Sequence, residues 1–178
     1  MVDVVTKVLA ERMLAPRYVP HSIIGETVRF TLAYNPGAAF SMSLGVYSRV
    51  IFGAFAVVAL FVLWRLYRMT GSGARAGDRS RIIALGLAWG GAAGNLVDRF
   101  RSPLGVVDFI DIGYGHVRFW TFNVADSAVT VGAVLLAWSL SQEDRHQRQA
   151  EAAAALAEPL IADAGLVGIE PHRDEPLT

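Results

Sequence analysis

The sequence contains no cysteine and little charge. Without a thiol in its 178 residues, the chain can form no disulfide, use no thiolate nucleophile and bind no metal through cysteine. Charged residues make up 18% of the chain, whereas soluble domains usually carry about 25%. The formal net charge is zero, which gives no indication of nucleic acid or of a strongly acidic partner, and we expect no nucleic acid.

Apolar residues are abundant instead: hydrophobic side chains make up 53% of the chain, and the mean hydropathy is +0.39. Three apolar stretches predict membrane spans near residues 48–66, 82–98 and 119–141, and their central parts, 50–64, 82–97 and 119–141, each contain at most one charge. Each stretch could also be a buried helix of a soluble core. Three such helices in a chain so poor in charge favour the membrane. Residues 1–14 suit a helix but are too short and too charged to span it.

Basic residues orient these spans, because loops rich in arginine stay in the cytoplasm. The connection between the first two spans, residues 65–81, carries five arginines. We therefore expect it to be cytoplasmic and residues 15–47 and 99–118 to face outward. Residues 26–34 show a partial alternation of polar with β-branched or aromatic side chains, which predicts a strand. Asn35-Pro36-Gly37 predicts a turn. Residues 142–178 are expected to form a cytoplasmic tail, a frayed helix followed by disorder.

Acidic side chains are concentrated at the predicted outer boundary of the last two spans. Asn95 and Asn123 each precede an aspartate of this group by three residues, on the same helical face. Charged groups within or beside spans are costly and are commonly functional. Four carboxylates share this boundary: Asp98, Asp108, Asp111 and Asp126.

Two neighbouring carboxylates can hydrolyse an amide without a metal or a covalent intermediate. Because both cannot ionise cheaply, one keeps its proton and polarises the carbonyl while the other takes a proton from water. Structural alternatives remain for each residue. Asp98 can form an ion pair with the adjacent Arg99, Asp111 can be a solvated loop residue, and Asp126 can be a hydrogen-bonded packing residue. Asp108 taken alone is undecided, so these considerations do not choose the pair.

Other chemistries fit the sequence less well. The four histidines form no HExxH motif, and Ser127 lies in no GxSxG motif. We therefore expect neither a metal site nor a cofactor. The small residues from Gly90 to Gly94 are interpreted as a surface for close helix packing, because no lysine follows that would complete a phosphate loop.

Five sequence blocks, in order, resemble the lipoprotein signal peptidase (signal peptidase II) family. The resemblance extends from Asp3 to Leu140, and five blocks in order are far more specific than any one of them. The blocks are Asp3-Val4-Val5-Thr6-Lys7, Asn35-Pro36-Gly37-Ala38-Ala39-Phe40-Ser41, Gly91-Ala92-Ala93-Gly94-Asn95-Leu96-Val97-Asp98-Arg99, Val107-Asp108-Phe109-Ile110 and Phe122-Asn123-Val124-Ala125-Asp126-Ser127.

The resemblance implies a mainly α fold, a polytopic membrane bundle of four helices with a small extracytoplasmic β-sheet. Three of those helices would be complete here, and residues 1–141 would form the peptidase domain. It also implies catalysis by Asp108 and Asp126 as an aspartate dyad. Further residues match positions that line or brace the site: Asn35, Gly37, Asn95, Asp98, Arg99, Asn123, Ala125, Asp3 and Lys7.

The substrate implied by the resemblance is a prolipoprotein whose lipobox cysteine already carries diacylglycerol. Cleavage just before that cysteine would occur near the extracytoplasmic face of the bacterial inner membrane. We expect a monomer whose partners are this substrate and membrane lipids. Only two residues precede Asp3, so most of the family's first helix is absent from this sequence. From this we expect Asp3 and Lys7 to lack a fixed position and the activity of the chain to be less certain than its family.

Two non-enzymatic functions compete with the protease. A small transporter could use Asp126 as a proton relay, and a scaffold subunit could bind a partner through its small residues. The cytoplasmic halves of the spans carry almost no titratable side chain, which argues against a relay. A scaffold leaves the clustered aspartates and asparagines unexplained.

Overall fold

The fold is mainly helical, with one small antiparallel sheet. The structure, a computed structural model, describes residues 1–37, 45–70 and 76–163. It divides into two compact units, Met1–Trp138 and Ser139–Thr178. The elements in chain order are α1 (Val2–Met13), β1 (Pro20–Ile24), β2 (Val28–Asn35), a 3-10 turn (Gly45–Tyr47), α2 (Ser48–Met69), α3 (Ala76–Arg101), β3 (Val106–Tyr114), β4 (Val117–Arg118) and α4 (Val124–Asp163).

Helix α2 presents its apolar side chains outward. The most apolar 18-residue window of this helix has a mean hydropathy of 2.2, and none of that window is buried inside the protein. Phe55, Val58 and Phe61 are all more than half exposed. A soluble protein would hide such side chains in its core, so the exposed surface is the kind that lipid covers.

Of the helices in the described part of the chain, two are long and apolar enough to cross a membrane, α2 and the Val124–Leu156 part of α4. Helix α3 covers the stretch predicted as the middle span but does not meet this criterion. Its four glycines between Gly86 and Gly94, together with polar residues such as Asn95 and Asp98, lower its hydropathy. By the criterion of helix length and hydropathy, the described residues therefore contain two candidate spans, whereas three complete spans were expected.

Small residues let α3 approach its neighbours closely, as the sequence indicated. A Cβ added to Gly91 would meet the backbone oxygen of Ala125 and Val129. One added to Gly132 would lie 2.6 Å from the backbone oxygen of Ala84. Both positions bring the backbones of α3 and α4 together, as small residues do between membrane helices.

The boundaries of α4 differ from those predicted. The helix begins at Val124, because Phe122 pairs with Ile110 of β3 through hydrogen bonds of 3.0 and 2.8 Å and is thereby held extended. Beyond Ser141, where a frayed helix was expected, the helix continues to Asp163 through a stretch rich in strong helix formers such as alanine, glutamate and glutamine. Residues 164–178, where disorder was expected, lie outside the described residues.

The sheet has the order β1-β2-β3-β4 with antiparallel neighbours. Strand β2 covers the strand predicted at residues 26–34, and it pairs with β3 from Val28↔Ile112 to Asn35↔Val106. Val107 and Phe109 of β3 pack into a core with Leu32 and Ala10. Since strand residues alternate between faces, Asp108 between them points away from that core.

Candidate active site

Two aspartates from different elements line one cavity of about 1260 Å³. Asp108 lies on β3, and Asp126 lies in the first turn of α4. Phe52 and Ala56 of α2 and Val129 of α4 form part of the apolar wall. The cavity therefore combines acidic groups with an apolar lining, as sites for largely apolar ligands do.

Asn95 and Asn123 connect the two aspartates. Asn123 Nδ2 donates to Asp108 Oδ1 at 2.7 Å, and Asn95 Nδ2 donates to Asp126 Oδ1 at 2.7 Å. Asn123 Nδ2 also donates to Asn95 Oδ1 at 3.1 Å. The structure thus brings together the four predicted residues in one hydrogen-bonded chain.

A reciprocal cap fixes Asp126 at the start of α4. The Asn123 backbone N–H donates to Asp126 Oδ2 at 3.1 Å, and the Asp126 backbone N–H donates to Asn123 Oδ1 at 2.9 Å. Such paired side-chain and backbone bonds satisfy groups that the first turn of a helix leaves free. They also leave the Asp126 carboxylate little freedom to rotate.

Burial, and after it the nearby charge of Asp126, raise the pKa of Asp108 from 3.8 to about 7. Hydrogen bonds from Asn123 and Asn35 and the charge of Lys7 act in the opposite direction on this pKa. A carboxyl group with a pKa of about 7 still holds its proton in a large fraction of molecules at neutral pH. Asp108 is therefore suited to the role of the protonated partner.

Lys7 and Asp3 of α1 are firmly held, and the expectation that they lack a fixed position is wrong. The Lys7 side chain is fully buried, and its Nζ lies 2.9 Å from Asp3 Oδ2 and 2.8 Å from Asp98 Oδ2. Nζ also donates to Asn95 Oδ1 at 2.8 Å. A buried ammonium needs such partners, and the two carboxylates and the amide supply them.

Asp98 forms its ion pair with a different residue from the one expected. It pairs with Lys7 on α1 and accepts a hydrogen bond from the Val107 backbone N–H at 3.2 Å. The adjacent Arg99 instead donates to the backbone oxygens of Gly37 at 2.7 Å and Asn95 at 3.1 Å. Successive side chains of a helix point in different directions, so neighbours in sequence need not pair.

Arg99 thereby ties the turn after β2 to α3. Within that turn the Gly37 backbone N–H donates to Asn35 Oδ1 at 3.0 Å, and the Asn35 side chain also hydrogen-bonds Asp108. Gly105 passes so close to the backbone of Asn35 that a Cβ there would overlap it. The remaining part of the predicted motif, residues 38–41, lies outside the described residues.

Ala125 contributes its backbone and its small size. Its N–H donates to Asp3 Oδ1 at 2.9 Å, and its side chain is buried against α3. Asp3 thus accepts one of the first N–H groups of α4, which have no partner within the helix. This cap comes from another helix, so it joins α1 to the element that carries Asp126.

Asp111 is a buried strand residue, and the interpretation as a solvated loop residue is wrong. It accepts hydrogen bonds from Arg118 Nε at 2.6 Å, Arg29 Nε at 3.3 Å and Thr31 Oγ1 at 3.2 Å. Burial alone would raise the pKa of Asp111, but the bonds from Arg118 and Thr31 and the charges of both arginines lower it below its usual value. Asp111 clamps the sheet together at the edge of the cavity.

Aromatic side chains next to the dyad were not predicted from sequence. Phe119 and Trp120 line the cavity and stack edge-to-face at 5.6 Å, just before α4 begins. Their position directly before an apolar helix was a usable signal, since aromatic residues favour membrane interfaces. Among residues 1–37, 45–70 and 76–163, no three acidic or histidine side chains group closely enough to hold a metal ion.

The family model described as "Signal peptidase (SPase) II" matches residues 1–142. The lipoprotein signal peptidase of Mycolicibacterium smegmatis is 48% identical over 139 residues, which cover 75% of this chain and 54% of that protein. The lipoprotein signal peptidase of Mycobacterium leprae is 46% identical over 139 residues, covering 75% of this chain and 63% of that protein. The chain thus spans less than two thirds of the length of these two relatives.

Solved structures agree with the sequence matches. A bacterial membrane enzyme determined by the in meso method at 2.3 Å resolution superposes with a TM-score of 0.68 and 28% identity, over 80% of this chain and 82% of that one. A second such structure at 1.9 Å gives a TM-score of 0.64 and 29% identity, over 78% of this chain and 84% of that one. By its family match, its relatives and its fold, the chain belongs to the signal peptidase II family.

Proposed function

We propose that the protein is an intramembrane aspartic endopeptidase that removes signal peptides from diacylglyceryl-modified prolipoproteins. Cleavage falls just before the lipidated lipobox cysteine. One observation carries this proposal: Asn95 and Asn123 join Asp108 and Asp126 into a single hydrogen-bonded group in the wall of a largely apolar cavity.

Hydrolysis follows from the different surroundings of the two carboxyl groups. Asp126 accepts hydrogen bonds from Asn95 and from the Asn123 backbone, which fix the position of its carboxyl group. It takes a proton from a water molecule that attacks the scissile carbonyl. Asp108, which keeps its proton near neutral pH, donates a hydrogen bond to the carbonyl oxygen. The C–N bond then breaks as the leaving amine receives the proton held by Asp126.

The cavity wall supports a lipidated substrate. Phe52, Ala56 and Val129 offer apolar surface beside the dyad, and the exposed face of α2 continues that surface towards the bilayer. Acyl chains and a signal helix are both apolar, so they gain free energy by leaving water for such a surface. The thioether-linked diacylglycerol would be bound next to the bond that is cleaved.

The proposed setting is the bacterial inner membrane, with the dyad near its extracytoplasmic face. The proposal is supported by the arginines at the ends of α2 and α3 that lie away from the dyad, since arginine-rich ends favour the cytoplasmic side; these are Arg65, Arg68, Arg79 and Arg81. The enzyme is proposed to act as a monomer and without a cofactor.

A proton-relay transporter is not favoured. Between Asp126 and Gln142, α4 carries no titratable side chain, and α2 carries none from Val50 to Trp64. A relay needs groups that pass the proton on, and these two stretches provide none.

The proposal is tested by incubating the detergent-purified chain with a lipobox peptide that carries a diacylglyceryl cysteine. The unlipidated peptide and the near-isosteric variant Asp126→Asn serve as controls. We expect cleavage before the modified cysteine, identified by the masses of both products, and none with either control. Equal cleavage of the unlipidated peptide would contradict the substrate class, and cleavage by Asp126→Asn would contradict the chemistry.

A further inference from the structure

Lys7 is the only charged residue of α1 whose side chain is fully buried among residues of the site. It lies on a different helix from either aspartate, yet its Nζ is within 2.9 Å of Asp3 and 2.8 Å of both Asp98 and Asn95. Each of these three neighbours in turn contacts a catalytic aspartate or the residue before one. A single ammonium group is therefore placed to act on both halves of the dyad.

The first route runs through the Asn95 amide. A lysine ammonium has only donors, so it can face the amide oxygen of Asn95 but not its nitrogen. Asn95 Oδ1 accepts from Lys7 and from Asn123, and Nδ2 is left to donate to Asp126. A flipped amide would present an oxygen to the Asp126 carboxylate and repel its ionised form.

The second and third routes run through the backbone. Asp3 Oδ1 accepts from the N–H of Ala125, the residue before Asp126. Asp98 Oδ2 accepts from the N–H of Val107, the residue before Asp108. Because Lys7 pairs with both carboxylates, it helps to fix the two side chains that hold these stretches of backbone in place.

We propose that Lys7 is the positioning residue of the dyad: it sets the orientation of the Asn95 amide toward Asp126 and, through Asp3 and Asp98, fixes the backbone beside both aspartates. The inference rests on the proposed proteolytic function but names a residue that does not touch the substrate. Lys7 acts on turnover and not on binding, since it lies behind the cavity and does not line it.

The test must not change the net charge of the buried cluster, because an added uncompensated charge would itself destabilise the fold. The double variant Lys7→Met/Asp3→Asn removes one charge of each sign, and an asparagine oxygen at position 3 can still accept from Ala125. The matched control is Arg101→Gln. Arg101 joins α3 to Glu11 of α1 through an ion pair of 2.8 Å, away from the dyad.

We expect the double variant to lower kcat about tenfold to hundredfold, with KM within about twofold of the parent, and Arg101→Gln to leave both constants within about twofold. A folded double variant with parental kcat would overturn the proposal. Should the double variant fail to fold, the variant Lys7→Gln/Asp3→Asn tests the proposal instead. Glutamine restores hydrogen bonding at position 7, but its amide can both donate and accept and so cannot select the amide oxygen of Asn95. Parental kcat in that variant would also overturn the proposal.

A second readout does not depend on cleavage. The infrared carbonyl band of protonated Asp108, identified by its loss in Asp108→Asn, is titrated in parent and double variant. The charges that face Asp108 are Asp126 of α4, Arg99 of α3 and Lys7 of α1. Losing Lys7 should move the titration midpoint upward, and an unchanged midpoint would contradict its electrostatic role. If the parent fails to cleave the lipidated peptide, the proposed function fails, while this titration still decides on Lys7.

Discussion

Asp3 accepts a hydrogen bond from the backbone N–H of Ala125, a residue 122 positions further along the chain, at 2.9 Å. The bond joins the first helix of the chain to the first turn of the last one, next to Asp126. Asp3 is in turn confined by Gly94 of α3, where an added Cβ would lie 2.5 Å from Asp3 Oδ2 and 3.2 Å from its Cγ. Three helices thus meet at this one carboxylate.

Gly94→Ala should therefore lower both stability and turnover. The new methyl group would push Asp3 away from Ala125, at a cost of about 1–3 kcal/mol for the lost bond to a charged group. Thermal unfolding in detergent and the rate of peptide cleavage measure the two effects. The control is Gly90→Ala on the same helix, where nothing lies within 4 Å of the added Cβ. Alanine there should leave cleavage unchanged and stabilise the helix by up to about 1 kcal/mol; equal behaviour of the two variants would refute the packing role of Gly94.

The raised pKa of Asp108 predicts that the protein is destabilised as pH increases. The folded protein holds the Asp108 proton up to a pH of about 7, whereas the unfolded chain releases it near 3.8. Between these values the native state binds more protons, so the free energy of unfolding falls as pH rises through this window and levels off above it.

Asp108→Asn removes this effect and should stabilise the protein more at pH 8 than at pH 5, by about 2–3 kcal/mol. The measurement is the thermal unfolding of parent and variant in the same detergent at both pH values. A variant that gains equally at both pH values, or loses more at pH 8, would show that the Asp108 carboxyl is not held protonated.

Loss of the protonated form also predicts the pH dependence of the reaction. In the proposed mechanism Asp108 is the protonated partner, so kcat should decline on the alkaline side with a midpoint near its pKa of about 7. The pH profile of single-turnover cleavage measures this midpoint directly. A plateau extending beyond pH 9 would assign the acid role to another group.

Asp111 should stabilise the sheet without taking part in the chemistry. Asp111→Asn weakens the bonds from Arg118 and Arg29, and we expect a loss of about 1–3 kcal/mol at neutral pH. Because the pKa of Asp111 is lowered in the folded state, this stabilisation is present above its ordinary unfolded pKa and is lost as pH falls through the folded pKa.

The matched control for Asp111 is Glu26→Gln, which removes the other carboxylate bound by Arg29. Glu26 is largely exposed, so the change should cost at most about 0.5 kcal/mol. Chemical denaturation of both variants at neutral pH compares them. Equal losses would mean that burial does not distinguish the two pairs.

Local sequence predicted much of the fold and the group of aspartates at one membrane boundary, whereas the choice of Asp108 and Asp126 as the pair came from the family resemblance. Apolar runs predicted the helices, alternation predicted β2, and the Asn-x-x-Asp spacing placed Asn123 and Asp126 together. The partners of buried charges were harder to predict, because they come from elements far apart in sequence. Lys7 pairs with Asp98 only because α1 and α3 pack side by side, and nothing in either segment specifies that packing.

The start of α4 illustrates the same limit. Hydropathy predicts a span from Phe119, since Phe119, Trp120 and Phe122 are as apolar as the helix that follows. The backbone of Phe122 is instead bonded to Ile110 of β3. Pairing with a distant strand overrides the local preference for helix, and this pairing is what sets Asn123 and Asp126 at the first turn.

The central claim, that Asp108 and Asp126 form the proteolytic dyad, is tested most directly by measuring binding and cleavage of the lipidated lipobox peptide with Asp108→Asn and Asp126→Asn beside the parent. Asparagine keeps the shape and most hydrogen bonds of each side chain, so we expect both variants to bind the peptide within a few-fold of the parent and to lose at least about a thousandfold in kcat. Turnover by either variant within about tenfold of the parent would contradict the claim.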